Sequence, residues 1–152
     1  MRHLRGFTLI EMMIVIVVIA ILIGVLLPQF RGTQDEASIQ RARAELRTLA
    51  TAIESYYIHN SNTLPTALSS LTSATPRIVS SIPNDPFRGG ATSYTYYRDT
   101  GGTPLYYVVF SYGLDRAATI TAISTSGTLT GGTTSMDDIC VTNGTPAGAP
   151  SC

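Results

Sequence analysis

The sequence contains no lysine and no tryptophan, and its 152 residues include only two histidines. His3 lies in the short basic segment at the N-terminus and His59 stands alone, so no Ser/His/Asp or Cys/His set with a histidine base is indicated. The ten arginines are balanced by ten acidic residues, giving a formal net charge of zero. Binding to nucleic acid requires a basic surface, which this composition does not indicate. We therefore predict neither a histidine-dependent enzyme nor a nucleic-acid partner.

Metal-binding and acid–base motifs are also scarce. The only two cysteines, Cys140 and Cys152, do not form a Cys-x-x-Cys pair, and no histidine lies near them. This spacing disfavours a structural zinc site. The carboxylates Asp137 and Asp138 form a lone adjacent pair in a predicted loop, which is weak evidence for acid–base catalysis. We predict that the protein is not an enzyme.

Apolar residues are abundant near the N-terminus. Residues from Met12 to Leu27 all have apolar side chains, apart from Gly24. As a helix, the segment Phe7–Leu27 would be roughly 30 Å long, which is enough to cross the hydrocarbon core of a bilayer. Glu11 lies inside this segment, and an ionisable residue in a membrane span is costly, which makes it a candidate functional residue. The basic residues before the span predict a cytoplasmic N-terminus.

Gly24 and Pro28 lie near the end of the apolar segment. A proline inside a helix removes one backbone hydrogen bond and clashes with the carbonyl four residues earlier, here that of Gly24. We therefore expect a kink or a local loosening of the helix between the two residues. Alternatively, Pro28 only marks the point where the helix leaves the membrane.

Beyond Pro28 the pattern becomes amphipathic. Apolar residues recur at spacings of three and four, which is typical of one helix face: Ile39, Ala42, Leu46, Leu49, Ile53 and Tyr57. This periodicity predicts one continuous helix from about Phe7 to Ile58. Its second half is expected to pack against a globular head.

The remaining sequence predicts short strands. Residues Thr92–Arg98 and Leu105–Tyr112 are rich in β-branched and aromatic residues, and they predict a hairpin. Both alternating faces of the second run are mostly apolar, so we expect one face to meet the long helix and the other to be covered by a loop or a neighbouring subunit. Thr119–Ser124 predicts a further strand, and Gly127–Thr130 a second one. We expect Thr133–Cys152 to be loop, with no segment in the core.

The segment Gly6-Phe7-Thr8-Leu9-Ile10-Glu11 and the apolar helix after it resemble the class III signal of type IV pilins and type II secretion pseudopilins. The resemblance implies that a prepilin peptidase cleaves after Gly6 and methylates the new amino group of Phe7. It also implies that Glu11 pairs with the Phe7 ammonium of an adjacent subunit during assembly. The segment from Gly24 to Pro28 corresponds to the part of the helix that can melt in pilin filaments.

The same resemblance implies the α+β type IV pilin fold, in which a long N-terminal helix packs against a small antiparallel sheet. The expected division is a leader at residues 1–6, a transmembrane and polymerisation half-helix at 7–30, an amphipathic half-helix at 31–60 and a globular head at 61–152. The implied partners are further copies of the chain, the prepilin peptidase, the inner-membrane assembly platform and minor pilins or pseudopilins. The implied location is the inner membrane, with a cytoplasmic N-terminus, followed by a periplasmic or extracellular filament.

The head is similar to that of the major pseudopilin of type II secretion. Leu64-Pro65 and the segment Pro83-x-Asp85-Pro86-Phe87 carry this similarity. A loop that binds calcium in major pseudopilins is matched here in three parts, Ser111–Asp115, Gly131-Gly132 and Asp137–Ile139. By this resemblance the ligands are supplied by four residues: Asp115, Asp137, Asp138 and Leu114. Oxygen ligands of this kind suit Ca²⁺.

The stretch Arg116–Thr130 is longer than the pseudopilin pattern. Either it forms a hairpin that leaves the calcium loop intact, or the site is lost, in which case the protein has no cofactor. An extracytoplasmic location would allow a Cys140–Cys152 disulfide, similar to the C-terminal disulfide of type IV pilins. Two unpaired thiols are the alternative. These features are compatible with a subunit of a secretion pseudopilus and with a subunit of a surface pilus.

A protein that does not polymerise is the main alternative to a filament subunit. It would be a single-pass membrane protein with a periplasmic binding head, anchored by its uncleaved N-terminal helix. Cleavage after Gly6 distinguishes the two possibilities.

Overall fold

The computed structural model describes residues 6–102, 105–131 and 137–144, with the backbone alone at residues 27–31. Within these residues the elements are α1 (Leu9–His59), α2 (Ser70–Ser73), β1 (Thr95–Arg98), β2 (Tyr107–Ser111), β3 (Ile120–Ile123), β4 (Leu129–Gly131) and β5 (Ile139–Thr142). A long apolar helix is thus followed by a small antiparallel sheet, which confirms the predicted α+β pilin fold. The chain divides into two compact units, one ending at Ala37 and the other beginning at Ser38. The predicted boundaries at residues 6, 30 and 60 stay predictions.

Helix α1 is continuous from Leu9 to His59, close to the predicted range. The helical backbone also continues through Pro28, so the helix is not interrupted in this segment, and a local bend there stays a prediction. The helix ends where Ser61 and Asn62 adopt the left-handed conformation, with φ of 53° and 56°. The amide of Asn62 donates to the carbonyl of Tyr57 at 3.1 Å, which satisfies one of the carbonyls left unpaired at a helix C-terminus.

The predicted apolar face of α1 forms one side of the main core in the second unit. Four of its side chains are buried there: Ala42, Leu46, Leu49 and Ile53. The sheet supplies the facing side chains, including Tyr107 and Val109 of β2. Two phenols also bond to carboxylates of the helix, since Tyr94 Oη donates to Glu45 Oε2 at 2.6 Å and Tyr107 Oη donates to Glu54 Oε1 at 3.3 Å. Burial, helped by the neighbouring carboxylate, raises the pKa of the Tyr94 phenol far above its usual range.

Strand β2 is the centre of the three-stranded sheet β1-β2-β5, in which both pairings are antiparallel. All five of its residues are buried. Because alternate residues of a strand point to opposite faces, Tyr107 and Val109 face the helix, whereas Val108 and Phe110 join a second cluster. The apolar partners in this second cluster come largely from the β3–β4 hairpin: Ile120, Ile123 and Leu129. The β3–β4 hairpin therefore covers the second face of β2, for which the sequence predicted either a loop or a neighbouring subunit.

The prediction that residues 133–152 contain no core segment is wrong. Strand β5 pairs with β2, with Phe110 opposite Cys140 and Ser111 opposite Ile139. Ile139 and Cys140 are both buried. The strand is too short to show a periodic pattern in a stretch rich in Ser, Thr and Gly, and its partner lies far away in the sequence. Its formation therefore depends on long-range pairing rather than local propensity.

Candidate functional site

The N-terminus of α1 is capped by two of the residues in the proposed processing motif. Thr8 donates to Glu11 Oε2 twice, from its backbone amide and from Oγ1, each at 2.8 Å. In return the amide of Glu11 donates to Thr8 Oγ1 at 3.3 Å. This reciprocal arrangement is a capping box, and it also places a negative charge at the positive end of the helix dipole. The sequence reasoning missed this second role of Glu11, although the Thr-x-x-Glu spacing indicates it.

The rest of this segment presents an apolar surface. Every residue of Leu9–Leu26 is exposed in the isolated chain. The segment is long and apolar enough to cross a membrane, and no other helix in the described part of the chain is. Gly6 and Phe7 are exposed immediately before it, and nothing lies within 4 Å of the Cβ position of Gly24. Soluble monomers rarely expose so large an apolar patch, so this surface indicates contact with lipid or with other apolar helices.

The second candidate site lies where β2 and β5 separate. Ser111 is opposite Ile139 at the end of the ladder, so the residues after Ser111 and those before Ile139 leave the sheet side by side. The amide of Asp115 donates to Asp137 Oδ2 at 2.8 Å. At Gly113, with φ of +67°, an added Cβ would be 2.2 Å from the carbonyl oxygen of Asp137. The two segments are therefore in close contact.

The third predicted carboxylate, Asp138, is 4% exposed and holds the base of the β3–β4 hairpin. Its Oδ2 accepts the backbone amides of Thr119 and Ile120, each at 2.8 Å. Burial raises the pKa of Asp138 above its usual range, and the nearby charges of Asp137 and Asp115 raise it further, against the lowering effect of the two amide donors. The residues Arg116–Thr130 thus form a hairpin that leaves the segment after Ser111 in contact with the segment before Ile139. This is one of the two alternatives that the sequence left open.

Among the residues that the structure describes, two carboxylate oxygens at this position have no hydrogen-bond partner. They are Oδ1 of Asp137 and Oδ1 of Asp138, and both are buried. A buried carboxylate oxygen without a partner costs free energy, so such atoms in a native structure indicate a missing donor or cation. In the described residues no group of three His, Cys, Asp or Glu side chains is arranged to hold a metal. The two oxygens fit a hard cation that takes its remaining ligands from backbone carbonyls and water, as Ca²⁺ does.

Comparisons with known proteins agree with the N-terminal features. The family described as the prokaryotic N-terminal methylation motif matches residues 1–27. Type II secretion system core protein G of Aeromonas hydrophila is 29% identical over 77% of this chain and 87% of its own length. The proteins of the same name from Pseudomonas aeruginosa and Escherichia coli are 36% and 38% identical. The N-terminal motif and these relatives together support the type IV pilin and major pseudopilin family.

The similarity to these pseudopilins is uneven along the chain. The Pseudomonas match covers 39% of this chain and 42% of the relative, and the Escherichia match covers 37% and 39%. No solved structure matches the chain. The relatives are named as a core protein of a secretion system, which is not the name of an enzyme and agrees with the prediction from composition.

The remaining predicted site residues of this pseudopilin relative are only partly described. In the acidic loop, which comprises Gly113–Asp115 and Asp137–Asp138, Leu114 is exposed between the two residues that contact Asp137. Pro28 lies in the helical backbone of α1. Cys140 is buried in β5, whereas Cys152 lies outside the described residues, so the Cys140–Cys152 disulfide stays a prediction. Gly132 also lies outside the described residues, and Gly131 ends strand β4.

Proposed function

We propose that this protein is a structural subunit that polymerises into a filament after a prepilin peptidase cleaves between Gly6 and Phe7. The exposed apolar surface of Leu9–Leu26, directly behind a methylation motif, is the observation that carries the proposal. In the inner membrane this surface contacts lipid, and in the filament it contacts the same segment of other copies. The relatives favour a type II secretion pseudopilus over a surface pilus.

Glu11 has a specific role in this proposal. A carboxylate among packed apolar helices is costly unless a positive group pairs with it. The methylated Phe7 ammonium of an adjacent subunit supplies that group when the two helices are offset by four residues, roughly 6 Å at helical rise. The capping box holds the carboxylate at the end of the helix, close to where the amino group of a neighbour arrives. Glu11 thereby selects the axial register of the incoming subunit.

The other proposed partners follow from this assembly. They are the peptidase, the inner-membrane assembly platform and minor pilins or pseudopilins. Before assembly the subunit is a single-pass protein of the inner membrane with a cytoplasmic N-terminus, and afterwards it lies in a periplasmic or extracellular filament. Gly24 and Pro28 supply the position at which the helix can loosen as subunits pack, since the proline removes a backbone hydrogen bond there.

Removal of the Glu11 carboxylate tests the register mechanism. Glu11→Ala is expected to abolish filaments, because the incoming Phe7 ammonium loses its partner, while the chain still inserts into the membrane. Asp35→Ala removes a carboxylate from the same helix outside the span and is expected to leave assembly intact. The measurement is filament yield in a reconstituted or native assembly system, with membrane insertion checked by fractionation. Normal filaments from Glu11→Ala would overturn the mechanism.

Intact mass spectrometry tests the processing. A mass beginning at methylated Phe7, found in the membrane fraction, is expected for a secretion pseudopilus. The same mass in material sheared from the cell surface would instead indicate a surface pilus. A mass that retains residues 1–6 would favour the alternative, a membrane-anchored protein that does not polymerise.

The acidic loop is proposed as a calcium site. Asp137 and Asp138 would supply carboxylate oxygens, and Leu114 its backbone carbonyl. The carboxylate of Asp115 is not grouped with these two in the described structure, where its Oδ1 accepts the Ala117 amide, so it would join the site only by turning towards the ion. The two buried oxygens without partners support this assignment. When bound, Ca²⁺ would neutralise the clustered carboxylates that otherwise repel one another at the base of the hairpin. We expect a chelator to lower the melting temperature of the detergent-solubilised chain, and Asp138→Asn to remove this response. A melting temperature unchanged by chelator would overturn the assignment.

A further inference from the structure

A carboxylate outside the acidic loop is bonded to the start of that loop. Asp85 lies in the turn between Pro83 and Phe87 and is 2% exposed. Its Oδ1 accepts the hydroxyl of Ser111 at 2.6 Å and the amide of Phe87 at 3.0 Å. Its Oδ2 accepts the amide of Tyr112 at 3.1 Å. Both oxygens are therefore bonded, and two of the three donors belong to the chain leaving β2.

The bonded residues lie at the point where the two arms of the acidic loop separate. Ser111 is fully buried and is opposite Ile139 at the end of the β2–β5 ladder. Gly113 and Asp115 follow Ser111 on one arm, and Asp137 and Asp138 precede Ile139 on the other. Fixing Ser111 and Tyr112 therefore fixes where the Gly113–Asp115 arm begins.

A second contact from the same turn holds this arm. The guanidinium of Arg88 lies over the Tyr112 ring, 4.3 Å from its centroid. A cation over an aromatic face at this distance is attractive. Nη1 of Arg88 also lies within bonding distance of the Ser93 carbonyl and of Thr95 Oγ1, which joins the turn to the β1 region. The turn thus holds Tyr112 through both its backbone and its ring.

We propose that Asp85 is a positioning residue for the calcium loop, and this inference rests on the calcium site proposed above. Asp85 makes no hydrogen bond to Asp115, Asp137 or Asp138 in the described part of the chain, so it acts through Ser111 and Tyr112. It holds the β2 arm against Asp137, so that the two arms are preorganised before the ion arrives. An amide at this position can accept through one oxygen only, and its NH₂ group would face one of the present donors.

Calcium affinity of the full-length chain in detergent micelles tests the proposal. Asp85→Asn is expected to weaken Ca²⁺ binding by ~10-fold to 100-fold, the usual cost of losing a group that orients metal ligands. Binding is measured by isothermal titration with Ca²⁺ alone, and the melting temperature is measured in parallel without the ion.

Asp99→Asn is the matched control. Asp99 is also a buried aspartate, 5% exposed, and it accepts the amides of Gly101 and Gly102, each at 2.9 Å. It lies at the opposite end of β2, where its own amide donates to the Tyr106 carbonyl. Its replacement is expected to lower the melting temperature but to leave the calcium affinity of the folded chain unchanged.

The outcomes separate the two proposals. A wild-type chain that does not bind Ca²⁺ overturns the calcium site and this inference with it. A wild-type chain that binds, together with an Asp85→Asn variant of equal affinity, overturns the positioning role alone. If Asp85→Asn fails to fold, Ser111→Ala removes one of the three hydrogen bonds instead. It is expected to weaken binding by a smaller factor, and unchanged affinity in that variant would count against the proposal.

Discussion

At the scale of single residues, Gly113 is the position where the backbone is least able to accept a side chain. Its φ of +67° lies in the left-handed region, and an added Cβ would be 2.2 Å from the Asp137 carbonyl oxygen. Gly90 has a similar φ of +71°, but nothing lies within 4 Å of its Cβ position. A comparison of the two glycines therefore separates the free-energy cost of the left-handed conformation from that of the steric contact.

Alanine substitution at these glycines tests the contact between the two arms. Gly90→Ala is expected to lower the free energy of unfolding by about 1–2 kcal/mol, because an L-residue is strained at this φ. Gly113→Ala is expected to cost about 1–3 kcal/mol more, because the two arms must move apart. Denaturant unfolding of the two variants measures the difference. Equal losses would show that Gly113 is not in contact with Asp137.

At the scale of elements, α1 was the most predictable part of the fold. Its apolar residues repeat at helical spacing, so the sequence alone predicts which face of the helix is buried. Strand β5 was not predictable, because its four residues are buried only by pairing with β2. The sequence also did not predict which residues pack over Val108 and Phe110, since nothing near β2 indicates that the β3–β4 hairpin lies there.

Two isoleucines of α1 test the assignment of its buried face. Ile53 is 0% exposed in the core, whereas Ile58, five residues later, is 71% exposed. Ile53→Ala is expected to lower the free energy of unfolding by about 2–5 kcal/mol, because it leaves a cavity. Ile58→Ala is expected to change it by less than about 0.5 kcal/mol. Similar losses in both variants would contradict the packing of the helix on the sheet.

At the scale of the whole molecule, the apolar surface and the core lie in different units. The exposed span Leu9–Leu26 belongs to the unit that ends at Ala37, whereas the buried core side chains begin at Ala42. All the buried core side chains that the structure describes therefore belong to the second unit. The two units also differ in their surfaces, because the first presents apolar side chains and the second encloses them.

Removal of residues 1–37 tests this separation. The fragment that begins at Ser38 is expected to be soluble without detergent and to unfold cooperatively on heating, because its core side chains are retained. The full chain is expected to need detergent, because its exposed span would otherwise associate. Size-exclusion chromatography and circular dichroism check both statements. An aggregated or unfolded fragment would show that the first unit is required for folding.

The sequence alone determined the N-terminal part of this pseudopilin relative: the apolar span, Glu11 within it, the methylation motif over residues 1–27 and the continuous helix. These features are readable because they depend on residues that are neighbours along the chain. Only the tertiary structure decided the pairing of β5, the position of the hairpin, the approach of Asp115 to Asp137 and the bond from Asp85 to Ser111. Those contacts join residues far apart in the sequence, and they form only when burial of the β2 side chains offsets the conformational entropy lost in bringing the segments together.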